Sequence, residues 1–189
     1  MVRKERKRAV FLDRDGTINE EREYLHRPEE FRFIPGVPEA IRLLKDAGFL
    51  VVVVTNQSGV GRGYYDEAAV ERLHRHMDNE LTMVGTSVDA YYYCPHHPKE
   101  GNAPYRVDCT CRKPFPGMLE QAARDMGIDL SASWMVGDKL ADVEAGLRAG
   151  CVPLLVLTGY GESERTSLPS GIAVYPDLLA AARAILSMG

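Results

Sequence analysis

Phe11 to Ile18 reads FLDRDGTI, and the organisation of the chain follows from this stretch. A short apolar run, Ala9 to Leu12, predicts a strand, and Asp13 and Asp15 stand where it gives way to a glycine turn at Gly16. A strand that ends in a turn lifts its last side chains onto the sheet edge where ligands of open α/β sheets bind. Alternate residues of a strand share a face, so the two carboxylates share one site if the chain begins to turn between them. Crowded carboxylates repel unless a cation lies between them or one holds a proton. The pair is therefore a candidate metal site and a candidate nucleophile with its acid/base partner. Asp and Gly also end strands simply as turn formers, so the rest of the chain decides.

Asn19 to Glu30 is too charged for a core and reads as a loop over the mouth of the first strand, where Glu21, Arg22, Glu23 and Tyr24 could reach a ligand. Pro35, Gly36 and Pro38 introduce a helix to about Ala47, stopped by Gly48. Leu50 to Val54, LVVVV, is the β-branched run of a strand buried on both faces of a parallel sheet, and it ends in Thr55, Asn56, Gln57, Ser58 and Gly59. Asp66 caps a helix to about Met83 with Val70, Leu73, Met77 and Leu81 along one face, and His74 and His76 fall away from that stripe and are expected in solvent. A strand over Val88 to Tyr93, an irregular segment to Lys113 and a helix from Pro116 to Met126 follow. The last elements are a strand over Ser133 to Val136 ending at Gly137 and Asp138, a helix over Ala141 to Ala149, strands over Val152 to Leu157 and Ile172 to Tyr175, and a helix over Asp177 to Leu186. Alternating strands and helices imply a Rossmann-like three-layer α/β sandwich: a mainly parallel sheet, right-handed crossovers and helices on both faces. With 189 residues, no repeat and no low-complexity linker, one domain over 1–189 is expected.

A net charge of −4 gives no general case for nucleic acid or an anionic membrane as partner. The basic run from Arg3 to Arg8 is followed by an apolar stretch far too short for a signal peptide, and reads as a solvated tail. No stretch approaches the roughly 18 apolar residues of a membrane span. A cytoplasmic monomer is expected. In that setting cysteines that cluster read as metal ligands rather than disulfides. Cys94, Cys109 and Cys111, with His96 or His97, form such a cluster, a closed tetrahedral set suited to a structural zinc that staples the loop over about 94–111. Cys111 directly precedes Arg112 and Lys113, so the staple would position that lysine. Cys151, in an apolar context, reads as core, as does Trp134.

Strand C-termini of a parallel sheet lie along one edge, which collects Asp13 and Asp15, Thr55 and Asn56, Asp138, Lys139 and Asp142, with Arg112 and Lys113 from the loop before the Pro116 helix. In their order, DRDGT, VTNQSG, RKP and GDKLAD resemble the four motifs of the haloacid dehalogenase (HAD) superfamily of phosphatases, from Phe11 to about Gly150. The resemblance implies Asp13 as nucleophile forming an aspartyl-phosphate, Asp15 as general acid and then base, and Lys113 and Thr55 holding the transferring group. It implies Mg²⁺ on Asp13, the main-chain carbonyl of Asp15 and Asp138, with Asp142 anchoring Lys113 or the metal's waters. It favours His96 over His97 as the zinc ligand.

A zinc loop ahead of RKP narrows the resemblance to the subfamily of heptose-bisphosphate and histidinol-phosphate phosphatases, which carry no large cap domain; the short spacers between motifs agree. A doubly phosphorylated sugar, from a heptose route to lipopolysaccharide or a related glycoconjugate, is then the expected substrate, with histidinol phosphate or a non-catalytic zinc-stabilised binding module as the alternatives. Arg112, Arg62 and Lys139 are candidates for the second phosphate, the loop Glu21 to Tyr24 for sugar hydroxyls, and Thr55, Asn56, Gln57 and Ser58 complete the binding residues.

Overall fold

In the computed structural model, which describes residues 6–188, Ala9–Leu12 forms β1 and is buried along its whole length. It is flanked on both sides by parallel neighbours: Leu12 is in register with Val53 of β2 (Leu50–Asn56) and with Val136 of β4 (Trp134–Gly137). β3 (Ala90–Cys94) lies outside β2, while β5 (Val152–Val156) and β6 (Ala173–Tyr175) extend the other side, giving the all-parallel order β3-β2-β1-β4-β5-β6. The chain runs outward from β1 to β3, then crosses to β4 on the far side of β1. That reversal opens a crevice at the carboxyl end of β1.

Period-2 alternation divides the sheet's side chains between two cores. Val10, Leu12, Val51 and Val53 face α1 (Val37–Asp46), α3 (Glu67–Met83) and α7 (Leu178–Met188), where Ile41, Leu44, Leu73, Met77, Leu81 and Ile185 close the first core. Ala9, Phe11, Val52 and Val54 face α4 (Gly117–Met126) and α5 (Leu140–Ala149) through Met118, Leu119, Ala122 and Ala145. Each fully buried Leu, Ile, Phe or Met contributes about 1.5–3 kcal/mol, so both faces hold β1 and fix where its last residues emerge. Asp66 caps α3 as expected, its carboxylate accepting from Ala69 N at 2.8 Å. Trp134 and Cys151 are core.

Several expectations are corrected. His74 is buried at 6 % exposure; it stands four residues after Val70 and three before Met77, so helical spacing puts it inside the apolar stripe. The polar loop after Gly16 sends Leu25 into the core and makes a 3₁₀ turn at Pro28–Glu30. Two four-residue helices, α2 (Ser58–Gly61) and α6 (Gly161–Glu164), follow β2 and β5. Of the basic run, residues 3–5 lie outside the described residues. Lys7 N donates to Gly127 O at 3.0 Å and the Arg8 guanidinium covers Phe49 at 4.5 Å, so that end of the run is held on the body. Among the described residues no helix is long and apolar enough to cross a membrane.

Candidate active site and metal centres

Asp13 leaves β1 with its N–H on Val136 O at 3.0 Å, and the chain turns through Gly16, whose φ of +88° a side chain would strain. A cavity of about 350 Å³ opens there. Lys113 Nζ lies between Asp13 Oδ1 at 2.7 Å and Asp142 Oδ1 at 2.6 Å, and also donates to Val54 O at 2.8 Å. Only 4 % of Lys113 is exposed. Burial works against its charge, but the two carboxylates hold its pKa above the ordinary lysine value. Its backbone is clamped as well: Asn56 Oδ1 accepts from Lys113 N and Asn56 Nδ2 donates to Lys113 O, both at 3.0 Å. Asn56 lines the cavity but has its amide committed to that clamp.

Asp138 is fully buried, its Oδ2 accepting from Tyr160 N at 2.8 Å while Oδ1 finds no partner among the described residues. Burial, with the charges of Asp13 and Asp142, pushes its pKa up to about 9. A Cβ on Gly16 or Gly159 would strike its carboxylate, so both glycines are required by the approach. The carboxylate oxygens of Asp13, Asp138 and Asp142 lie within 4.8 Å of one another. An octahedral centre with bonds of about 2.1 Å spaces its oxygens roughly 3.0 Å apart when adjacent and 4.2 Å when opposite, so the set fits one cation. Asp142 has both oxygens in use, Oδ1 on Lys113 and Oδ2 on Lys139 N at 3.0 Å. Asp13, which Lys113 engages at Oδ1 only, and the Asp138 oxygen without a partner among the described residues are the side chains left to take metal.

Asp15 turns away from this trio. Its Oδ1 accepts from Asn19 Nδ2 at 3.0 Å and its Oδ2 from Gln57 Nε2 and Arg14 Nη2, each at 3.0 Å. Burial raises its pKa, but the Arg14 charge and the Asn19 and Gln57 hydrogen bonds bring it below the usual carboxylate value. Gln57 also donates to Thr55 Oγ1 at 2.8 Å and is itself oriented by the Tyr65 hydroxyl at 2.8 Å.

Of the other binding candidates, Glu21, Glu23, Tyr24, Thr55, Gln57, Ser58, Arg112 and Lys139 line the cavity. Arg22 does not; it pairs with Glu20 on the surface at 3.3 Å. Arg62 is drawn off to Glu100 and His97 and is not part of the lining. Lys139 is shared with Glu21 at 3.1 Å, whereas Arg112 has no carboxylate partner among the described residues. Arg14, Tyr65 and Tyr160 were not singled out by sequence, and His74 was expected in solvent. The missed signal for Arg14 is its position between two carboxylates at a strand end, where alternation turns it toward the opposite face.

Cys94 Sγ lies 3.5 Å from Cys109 Sγ and 3.1 Å from Cys111 Sγ, and His96 Nδ1 lies 3.6 and 3.4 Å from Cys94 and Cys111. Tetrahedral zinc with bonds of about 2.3 Å keeps its sulfurs roughly 3.8 Å apart, so the four groups converge as a closed set for one metal ion. His97 is turned elsewhere, its Nδ1 accepting from Glu100 N at 2.9 Å. The geometry thus selects His96.

The HAD-hydrolase-like family model matches residues 110–181. The chain is 50% identical over 152 residues to the D-glycero-beta-D-manno-heptose-1,7-bisphosphate 7-phosphatase of Escherichia coli, covering 80% of each chain. It is 49% identical over 155 residues to the protein of that name from Haemophilus ducreyi, covering 81% of this chain and 85% of the relative. The crystal structure of D,D-heptose 1,7-bisphosphate phosphatase from B. bronchiseptica, complexed with magnesium and phosphate, superposes with a TM-score of 0.87 at 39% identity, covering 96% of this chain and 99% of that one.

Proposed function

Since the chain belongs to the HAD-like hydrolases and, within them, to the heptose-1,7-bisphosphate 7-phosphatases, we propose that it removes the 7-phosphate of D-glycero-β-D-manno-heptose 1,7-bisphosphate by way of an aspartyl-phosphate on Asp13. The observation that carries this reading is the buried Lys113 ammonium, held between Asp13 and Asp142 beside the orphaned oxygen of Asp138. A lysine so placed meets the equatorial oxygens of a phosphoryl group as that group reaches Asp13.

In the first step an Asp13 oxygen bonds to phosphorus as the bond from phosphorus to the sugar oxygen breaks, and Asp15 gives that oxygen its proton. Asp15 must be protonated to do so, and the arriving phosphate favours this because a neighbouring negative charge raises a carboxylate's pKa. In the second step Asp15 takes a proton from water, whose oxygen attacks phosphorus and frees Asp13 and inorganic phosphate. Thr55 Oγ1 and Lys113 hold the phosphoryl oxygens through both steps. Mg²⁺ held by Asp13, Asp138 and the main-chain carbonyl of Asp15 would, when bound, offset the repulsion between an anionic nucleophile and an anionic substrate. Zn²⁺ on Cys94, His96, Cys109 and Cys111 would order the loop that ends at Lys113.

Arg112, which no carboxylate among the described residues engages, is suited to the 1-phosphate, with Lys139 in support. Glu21, Glu23 and Tyr24 are placed for hydroxyls. The β anomer matches the D-glycero-beta-D-manno-heptose-1,7-bisphosphate 7-phosphatases of Haemophilus ducreyi and Escherichia coli. The protein acts as a cytoplasmic monomer, one domain over 1–189, in heptose precursor synthesis for lipopolysaccharide or a related glycoconjugate, with no nucleic-acid or membrane partner. Phosphate release from both heptose anomers and from histidinol phosphate, compared as kcat/KM, tests the assignment. A preference of about a hundredfold for the β anomer is expected, and a preference for histidinol phosphate would overturn the substrate.

A further inference from the structure

Arg14 heads the fully buried side chains at 1 % exposure, and the reaction above gives it no part. A guanidinium out of water is tolerated only where its donors are met. Those of Arg14 reach Asp15 through Nε at 3.3 Å and Nη2 at 3.0 Å, Leu25 O through Nη2 at 3.3 Å, and His74 Nε2 through Nη1 at 3.2 Å. Arginine has no acceptor atom, so the His74 Nε2 must accept, which assigns its proton to Nδ1 and leaves the ring neutral. Burial, with the charge of Arg14 beside it, pushes the His74 pKa down to about 3, in keeping with that tautomer. The ring is held in turn by Tyr91, stacked at 4.4 Å and 17°, whose hydroxyl donates to Asp78 at 2.6 Å. From α3 and β3, then, Tyr91 holds the imidazole, the imidazole holds the guanidinium, and the guanidinium grips the Asp15 carboxylate with a fork.

We propose that Arg14 and His74 are positioning residues for proton transfer at the leaving oxygen: His74 fixes the guanidinium of Arg14, which fixes the carboxyl group of Asp15 toward the cavity. This rests on Asp15 being the general acid. The rival role is purely structural, because the Arg14 contact with Leu25 O also ties down the loop after Gly16. The two differ in one respect. A positioning role matters in proportion to how much the leaving oxygen needs a proton, whereas a structural role is indifferent to the leaving group.

The experiment uses the full-length enzyme with Mg²⁺ and Zn²⁺, and measures kcat/KM, which reports the step that phosphorylates Asp13. The substrates are heptose 1,7-bisphosphate, whose alkoxide must be protonated, and p-nitrophenyl phosphate, whose phenolate leaves without a proton. His74→Leu removes the acceptor; it should lower kcat/KM at least about tenfold on the sugar phosphate and less than about threefold on the aryl phosphate. His74→Gln, whose amide can present an oxygen near the Nε2 position, should stay within about threefold of wild type on both. If His74→Leu does not fold, His74→Asn, too short to reach Arg14, takes its place. Equal losses on the two substrates, no loss on the sugar phosphate, or a His74→Gln variant as poor as His74→Leu would overturn the proposal. Asp15→Asn run alongside should show a deeper form of the same asymmetry. If it shows none, the general-acid assignment is wrong and this inference falls with it; if it does while His74→Leu is symmetric, the inference alone is wrong.

Discussion

Replacing Lys113 by Met removes a buried ammonium and leaves the Asp13 and Asp142 carboxylates facing each other. Both contacts are short, 2.7 and 2.6 Å, and the lysine is 4 % exposed, so solvent cannot take its place. Breaking a buried pair by removing one partner costs about 3–5 kcal/mol. In a chain of this size each kcal/mol moves Tm by about 2–4 °C, which predicts a fall of roughly 6–20 °C for the metal-free protein. Asp142→Asn should cost less, because Asp13 keeps its cation. In the double variant one of the two facing charges is gone, so its loss should fall short of the sum of the singles by about 1 kcal/mol or more. Activity should not follow stability: kcat should drop about 10²- to 10³-fold in Lys113→Met and stay down in the double variant, since a donor to the phosphoryl oxygens is missing. Thermal melts of the four proteins, paired with phosphate release, decide it. Additive losses within about 0.5 kcal/mol, or kcat recovering with stability, would contradict the coupling of Lys113 to both carboxylates.

The raised pKa of Asp138, about 9, has a definite sign. Between its unfolded value of 3.8 and about 9 the metal-free folded protein holds the extra proton, so this group's stabilising share is full below pH 3.8 and is lost as pH rises through about 9. Mg²⁺ must displace that proton, so its apparent affinity, followed by the Mg²⁺-induced rise in Tm, should increase up to about tenfold per pH unit below pH 9; a flat profile would contradict the Asp138 assignment. Elemental analysis should find about one zinc per chain, and stripping it should lower both Tm and kcat in a way that zinc restores and magnesium does not. A zinc-free protein of unchanged Tm would remove the staple.

The strands were legible because Ala9 to Leu12 and Leu50 to Val54 are apolar runs bounded by turn residues, and α3 because Asp66 caps a four-point stripe. The rim followed from topology, since parallel strands deliver Asp13, Thr55 and Asp138 to one edge. The Cys/His set was legible as spacing, but His96 and His97 are adjacent, and only the fold turns one to the thiols and the other to the Glu100 N–H. What sequence hid was the layer behind the carboxylates. Arg14 and His74 lie 60 residues apart and meet only through tertiary packing, and His74 was expected to fall away from the apolar stripe although its spacing from Val70 and Met77 places it on the buried face. Four-residue helices such as α2 and α6 have too few positions to show a period.

If Asp13 is the nucleophile, phosphate release from heptose 1,7-bisphosphate should fail in Asp13→Asn, measured beside wild type with Mg²⁺ present and folding verified by thermal melt. A folded variant is expected whose release is reduced by several orders of magnitude, with wild type freeing one phosphate, from C7. A folded Asp13→Asn protein that released phosphate at the wild-type rate would contradict that role for Asp13.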